Sequence, residues 1–260
     1  DGALYLGTSG RGIWKVTGQR TVKKMYDNIE GVAFAHKLAF DHKGVLWVVT
    51  ASNGVFAING NRAKKYNIND CINYADITID RDDNIYIGFI NGGIYKTDTS
   101  RRGFTLIPST ANVPVTALMA RRDGNILVGT NGFGLKFLDT RTGSLQPNRL
   151  HSNDVDLNKV KVYSIAEDMT GNLWLALLQK GVYMQPPYSN TMYNLGRDKG
   201  PQNPIGESCV MSVFKQSNGT LWVAADQDGL YALTATGELI RHYAPDHSTT
   251  KSIPSTVLTM

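Results

Sequence analysis

The chain has 260 residues, of which 42% are hydrophobic and 19% charged, with 26 Gly, 9 Pro and 12 Tyr. That composition buries a sizeable core and is rich in turns, which excludes a disordered tail and a collagen-like rod. No window approaches the roughly 18 uninterrupted apolar residues of a membrane helix, so a soluble chain is expected. Twenty-seven Lys and Arg against 22 Asp and Glu leave a net charge of +5, scattered along the sequence, which favours anionic partners mildly and gives no nucleic-acid footprint.

Read in chain order, one strand motif recurs. It runs Gly2-Ala-Leu-Tyr-Leu-Gly-Thr, Gly44-Val-Leu-Trp-Val-Val-Thr, Asn84-Ile-Tyr-Ile-Gly, Gly124-Asn-Ile-Leu-Val-Gly-Thr, Gly171-Asn-Leu-Trp-Leu-Ala and Gly219-Thr-Leu-Trp-Val-Ala. The central residues Tyr5, Trp47, Tyr86, Leu127, Trp174 and Trp222 are spaced by 42, 39, 41, 47 and 48 positions. Such a period fits a four-stranded sheet with its turns and is short for a βαβ unit. After each motif a glycine opens a further strand: Gly12-Ile-Trp, Gly54-Val-Phe, Gly93-Ile-Tyr, Gly134-Leu-Lys, Gly181-Val-Tyr and Gly229-Leu-Tyr. Before it stands an apolar alternation such as Val115-Thr-Ala-Leu-Met or Val162-Tyr-Ser-Ile-Ala, joined by Asp/Gly/Asn turns. A more polar strand closes each module, as in Thr21-Val-Lys-Lys-Met-Tyr and Glu238-Leu-Ile-Arg-His-Tyr, and suits an outer edge. No sustained 3.6-residue stripe occurs.

The expected fold is therefore all-β: a β-propeller of four-stranded antiparallel blades with strands A to D. It forms a single domain over 1–260, with modules at about 1–30 plus 252–260, 31–70, 71–110, 111–158, 159–206 and 207–251. The sequence opens before a strand B and ends at Ser255-Thr-Val-Leu-Thr-Met260 on a strand A. Pairing of that last strand with the first module is expected to close the ring. A start at Asp1, with no Met and no signal-like stretch, points to a mature fragment or an excised piece.

Val162-Tyr-Ser-Ile-Ala-Glu-Asp-Met-Thr-Gly-Asn-Leu-Trp-Leu-Ala with Gly181-Val-Tyr resembles the two-component-regulator propeller repeat. So do Met211 through Ala224 with Gly229-Leu-Tyr, Val115 through Leu135, and the connector Ile240 through Val257. Leu127 in place of an aromatic, Val49 and Ala176 in place of Gly, and the apolar Leu177-Leu178 depart from that pattern. The resemblance implies the periplasmic sensor region of a Bacteroidetes hybrid two-component system, ahead of an immunoglobulin-like domain, a membrane helix and a histidine kinase fused to a response regulator. It further implies an oligosaccharide ligand, no catalysis by this segment, and membrane attachment only through the parent chain. Propellers of that family are seven-bladed and paired, so six modules fit either a six-bladed variant or part of a longer array.

The repeated aromatics Tyr5, Trp47, Tyr86, Trp174 and Trp222, with Trp14, Phe56, Tyr95, Tyr183 and Tyr231, are expected to pack between blades, because every module demands them. Ligand contacts are sought where modules differ. The B–C loops supply Arg11, Asn53, Asn91, Asn131, Gln179, Lys180, Asp226 and Asp228, able to hold sugar hydroxyls or an acidic substituent; the competing reading is turn chemistry. The long D–A loops 146–160 and 196–208 build on the same rim.

Cys71 and Cys209, 138 positions apart, show neither CxxC nor metal spacing, and no metal or cofactor is expected. The five histidines, His36, His42, His151, His242 and His247, form no HExxH. A propeller lyase or lactonase would need a pair such as His151 and His247. Asp80-Arg-Asp-Asp-Asn84 lacks the Gly and Glu of an EF-hand and is read as a turn. Asn218-Gly-Thr, formally a glycosylation acceptor, is the same turn in another module. The rival to a sensor is a scaffold propeller for protein partners, including a second copy of the chain.

Overall fold

The structure, a computed structural model, describes residues 3–17, 21–68, 73–97, 100, 102–195, 205, 209–216, 218–226, 228–234 and 236–244. The strand expected at 255–260, Cys71, His247 and most of the 196–208 connection lie outside them. Blade 1 holds β1 (Leu4–Gly7), β2 (Ile13–Thr17) and β3 (Thr21–Met25). Blade 2 holds β4 (Ala35–Phe40), β5 (Leu46–Thr50), β6 (Val55–Asn59) and β7 (Arg62–Tyr66). Blade 3 follows with β8 (Tyr74–Ile79), β9 (Ile85–Phe89), β10 (Gly93–Thr97) and β11 (Phe104–Leu106). Blade 4 has β12 (Val115–Ala120), β13 (Ile126–Thr130), β14 (Leu135–Asp139) and β15 (Ser144–Pro147). Blade 5 has β16 (Val162–Glu167), β17 (Leu173–Leu177), β18 (Gly181–Gln185) and β19 (Tyr193–Asn194). Blade 6 has β20 (Val210–Lys215), β21 (Leu221–Ala225), β22 (Gly229–Leu233) and β23 (Leu239–Tyr243).

In every blade the strands lie in chain order, the meander expected of a β-propeller. The only helical segment among the described residues is a 3₁₀ turn, Pro108–Thr110. Blade 1 has three described strands. The chain divides into two compact units, Asp1–Ile126 with Asp139–Leu145, and Leu127–Leu138 with Gln146–Met260.

Period-2 alternation explains how the first unit is held together. All five residues of β5 are buried, because strand B is covered on both faces. Leu46 and Val48 pack with Ile13 of blade 1, while Trp47 and Val49 pack with Ile77, Ile85, Ile87 and Phe89 of blade 3. The central aromatic of one blade thus points into the next, as the repeat predicts. In the second unit Trp174 and Ala176 of β17 do the same against Val213, Leu221 and Val223 of blade 6. Full burial of such a ring removes a large apolar area from water.

Each buried ring also carries a polar atom that needs a partner. The indole Nε1 of Trp47 donates to Asp41 (3.2 Å), the Tyr86 hydroxyl to Asp80 (3.2 Å), the Trp174 indole to Asp168 (3.1 Å) and the Trp222 indole to Gln216 (2.9 Å). In every case the acceptor stands six positions earlier, at the head of the A–B turn. The three carboxylates also close the turn by accepting the backbone N–H groups of Val45, Asn84 and Asn172, each at 2.9 Å. Blade 4, whose central residue is Leu127, has Arg121 at the acceptor position. With no ring to satisfy, no carboxylate stands there.

Candidate functional site

The eight loop residues singled out in the sequence fall into two groups. Arg11, Asn53 and Asn91 belong to the first unit. Asn131, Gln179, Lys180, Asp226 and Asp228 belong to the second.

In the first unit the loops of blades 1 and 2 share one template. Thr8 and Thr50 donate their hydroxyls to the carbonyls of Gly12 and Gly54, both at 2.7 Å, and accept the backbone N–H of Arg11 (3.1 Å) and Asn53 (2.9 Å). Asn53 is used further: its Oδ1 accepts from Lys65 Nζ at 2.9 Å. That side chain ties its loop to the outer strand. Arg11 keeps an exposed side chain while its carbonyl accepts the Trp14 indole at 3.1 Å. Asn91 is exposed.

In the second unit three of the chosen residues converge on one loop. Asn131 forms an antiparallel bridge with Lys161, and the Lys161 carbonyl accepts the N–H of Leu178 at 3.0 Å. Leu178, Gln179 and Lys180 then face the connection 154–161 across a recess of about 380 Å³. Its rim carries Lys159, Lys161, Lys180, Asp154 and Asp156, and Val155, Val160 and Leu178 are its apolar lining.

The connection is pinned from below. Leu157 is buried, and its carbonyl accepts Leu135 N–H at 2.9 Å while Gly134 N–H reaches the Val160 carbonyl at 3.0 Å. Asn148 adds bonds to the Leu135 carbonyl (2.8 Å) and to Asn158 (3.3 Å). This close approach requires glycine at 134: its φ is +73°, and a Cβ there would lie 2.1 Å from the Leu157 carbonyl oxygen.

Asp154 accepts from the hydroxyl of Tyr183 at 2.7 Å and from that of Ser152. Burial pushes this carboxyl up, and hydrogen bonds from Ser152, Tyr183, its own backbone N–H and Asn194 more than reverse it, so its pKa lies below the ordinary value. Asp156 pairs with Lys159 at 3.2 Å and accepts Asn158 N–H at 3.0 Å. Lys161 and Lys180 make no ion pair among the described residues and are exposed. Gln179 holds a left-handed backbone, φ 57°, a conformation uncommon for a non-glycine residue and frequent at functional sites.

Blade 6 solves the same loop differently. The Tyr231 hydroxyl donates to Asp228 of its own B–C loop, and His242 stacks flat on that ring, 4.0 Å between centroids, with Nε2 2.6 Å from the Asp228 carbonyl. Asn194 of blade 5 is the positional counterpart of His242 and donates to the Lys180 carbonyl at 3.1 Å. Asp228 thus joins its loop to β22 and β23. Asp226 places its N–H on the Cys209 carbonyl at 2.8 Å, and its Oδ1 is buried without a hydrogen-bond partner among the described residues.

Position-by-position comparison of modules missed Lys159, Lys161, Asp154 and Asp156, which lie in the D–A connection. The departure Leu177-Leu178 was their signal, since Leu178 lines the recess. Of the histidines, His151 bonds Thr191 through Nε2 at 3.0 Å and its backbone bridges the same residue, while His42 bonds Asp83 at 2.9 Å. The described residues hold no group of three His, Cys, Asp or Glu able to bind a metal, and no helix long and apolar enough to cross a membrane.

No family model and no curated protein matches the chain. Many solved structures do. An extracellular domain assigned to a hybrid two-component system of B. thetaiotaomicron superposes with a TM-score of 0.75 at 17% identity, covering 98% of this chain and 33% of that one. A second such domain from the same organism gives 0.70 at 19% identity, covering 96% and 35%. A streptogramin B lyase gives 0.71 at 13% identity, covering 93% and 79%. The chain thus spans about a third of the length of the two-component ectodomains it matches. What these similarities share with the chain, and what they establish for it, is the β-propeller fold.

Proposed function

We propose that the chain is a ligand-sensing extracytoplasmic propeller of a hybrid two-component sensor and binds an oligosaccharide without catalysing a reaction. The recess beside Gln179 and Lys180 carries this reading: it is the place where a D–A connection and a B–C loop, the segments that differ most between modules, meet over an apolar lining with polar side chains at the rim. The likeness to two-component ectodomains supports the sensor context, and a periplasmic location follows from it. Binding shifts signalling to the extent that the ligand prefers one arrangement of the sensor over another. Calorimetric titration against neutral and charged oligosaccharides tests the reading. Micromolar binding of one class is expected, and silence across a broad panel overturns it.

A further inference from the structure

We infer that the recess between the connection 154–161 and the loop 178–180 selects an anionic oligosaccharide, one bearing a carboxylate or a sulfate ester, over a neutral one. The inference rests on the oligosaccharide-sensing reading and adds the class of ligand.

The charge count of the recess is three lysines against two aspartates, a surplus of one. The distribution matters more than the sum. Asp156 is matched by Lys159, and Asp154 is turned to the hydroxyls of Tyr183 and Ser152. Two exposed ammonium groups, Lys161 and Lys180, remain without a carboxylate among the described residues.

Both are held by backbone bonds that fix where their side chains begin. The Lys161 carbonyl takes Leu178 N–H at 3.0 Å, Lys180 N–H goes to the Leu177 carbonyl at 3.1 Å, and Asn194 holds the Lys180 carbonyl. Gln179, next to Lys180 on the same recess, is exposed, and its amide is suited to a hydroxyl of the ligand. Val155, Val160 and Leu178 offer the apolar surface on which the C–H face of a pyranose ring packs. An acidic sugar presents just these three chemistries within one or two rings. A neutral sugar leaves both ammonium groups without an ionic partner and gains from them only hydrogen bonds to its hydroxyls.

Calorimetry on the whole chain tests this with three probes: trigalacturonate (carboxylate only), a κ-carrageenan tetrasaccharide (sulfate only) and maltotriose (neutral). One acidic probe is expected to bind at least tenfold more tightly than maltotriose, and its identity tells carboxylate from sulfate. Its affinity should fall several-fold between low and high salt, as screening of exposed charges requires. Lys161→Gln combined with Lys180→Gln should weaken that probe by about tenfold or more, at roughly 1.4 kcal/mol per tenfold, with Lys161→Arg/Lys180→Arg restoring it. Lys23→Gln, on the exposed outer strand β3, should leave it unchanged. Tighter binding of maltotriose, or acidic binding indifferent to both lysines, overturns the anionic class and leaves the sensor reading standing. Failure of all three probes, and of a wider panel, overturns the sensor reading and this inference with it.

Discussion

At the A–B turns, Asp41, Asp80 and Asp168 each hold a ring six positions on and the backbone of their own turn. At the B–C loops the solutions differ. Blades 1, 2 and 4 close the loop with a threonine, Thr8, Thr50 or Thr130, whose hydroxyl reaches the glycine carbonyl four positions on. Blades 5 and 6 have no threonine there and fasten the loop through an outer-strand side chain, Asn194 or His242. The turn end repeats in blades 2, 3 and 5 because each must satisfy the polar atom of a buried ring. Where the threonine is gone, the outer strand takes over the hold on the loop backbone, at the Lys180 and Asp228 carbonyls. The recess lies beside one of these loops.

The largest test of this contrast concerns the backbone under the recess. Gly134→Ala would force a Cβ to 2.1 Å from a carbonyl oxygen at φ +73°, and a loss of about 3 kcal/mol or more in urea unfolding is expected. Gly44→Ala, in an A–B turn at φ +77° with nothing within 4 Å, should cost only about 1 kcal/mol, the strain of the left-handed conformation alone. Equal losses would mean that the connection yields and that the recess is not a fixed shape.

Next in size is the turn clasp. Asp168→Ala leaves the Trp174 indole and two turn N–H groups without their acceptor inside a buried site, and about 2 to 3 kcal/mol should be lost. Gln216→Ala, beside the half-buried Trp222, should cost under about 1 kcal/mol because water replaces the amide. The clasp also makes stability depend on acid. Burial pushes the Asp168 carboxyl up, but hydrogen bonds from Thr170, Asn172 and Trp174 overcome this and bring it from 3.8 to about 2. A depressed folded-state pKa gives stability that is complete above the unfolded value and fades as pH falls from about 4 to about 2, in all about 2 kcal/mol. Urea midpoints at pH 6 and pH 2.5 should converge more in Asp168→Asn than in the parent chain.

Repetition is what made the fold legible. Six spaced aromatics and six following glycines located the strands, and the pairing of Leu46 and Val48 to one neighbour, Trp47 and Val49 to the other, follows from alternation alone. The site was legible only in part. Gln179, Lys180 and Asn131 could be chosen because modules differ there, but nothing local shows that Asn53 is occupied by Lys65, 12 positions on, or Asp228 by His242, 14 positions on. Those partners are set by the register of outer strands, which vary in length from two to five residues across blades. Likewise Tyr183 is buried and Tyr231 packs against blade 5 as expected, yet their hydroxyls fasten carboxylates of different loops, a choice that needs the path of the 148–161 connection.

That choice yields the smallest and most local prediction. Tyr183→Phe keeps the buried ring and removes one hydroxyl, so Asp154 loses the 2.7 Å bond and retains that from Ser152. Its pKa should rise toward the ordinary carboxylate value, visible by carboxyl-carbon NMR titration, with about 1 kcal/mol lost in stability. Tyr231→Phe should cost a similar amount and leave Asp154 untouched, because its hydroxyl serves Asp228. If both variants moved Asp154 alike, the two loops would be coupled and the separate fastening of blades 5 and 6 would fail. If only Tyr183→Phe moves it, Asp154 is fastened by the tyrosine of blade 5 and not by that of blade 6, and an acidic ligand at Lys161 and Lys180 would raise the Asp154 pKa further by placing a second negative charge beside it.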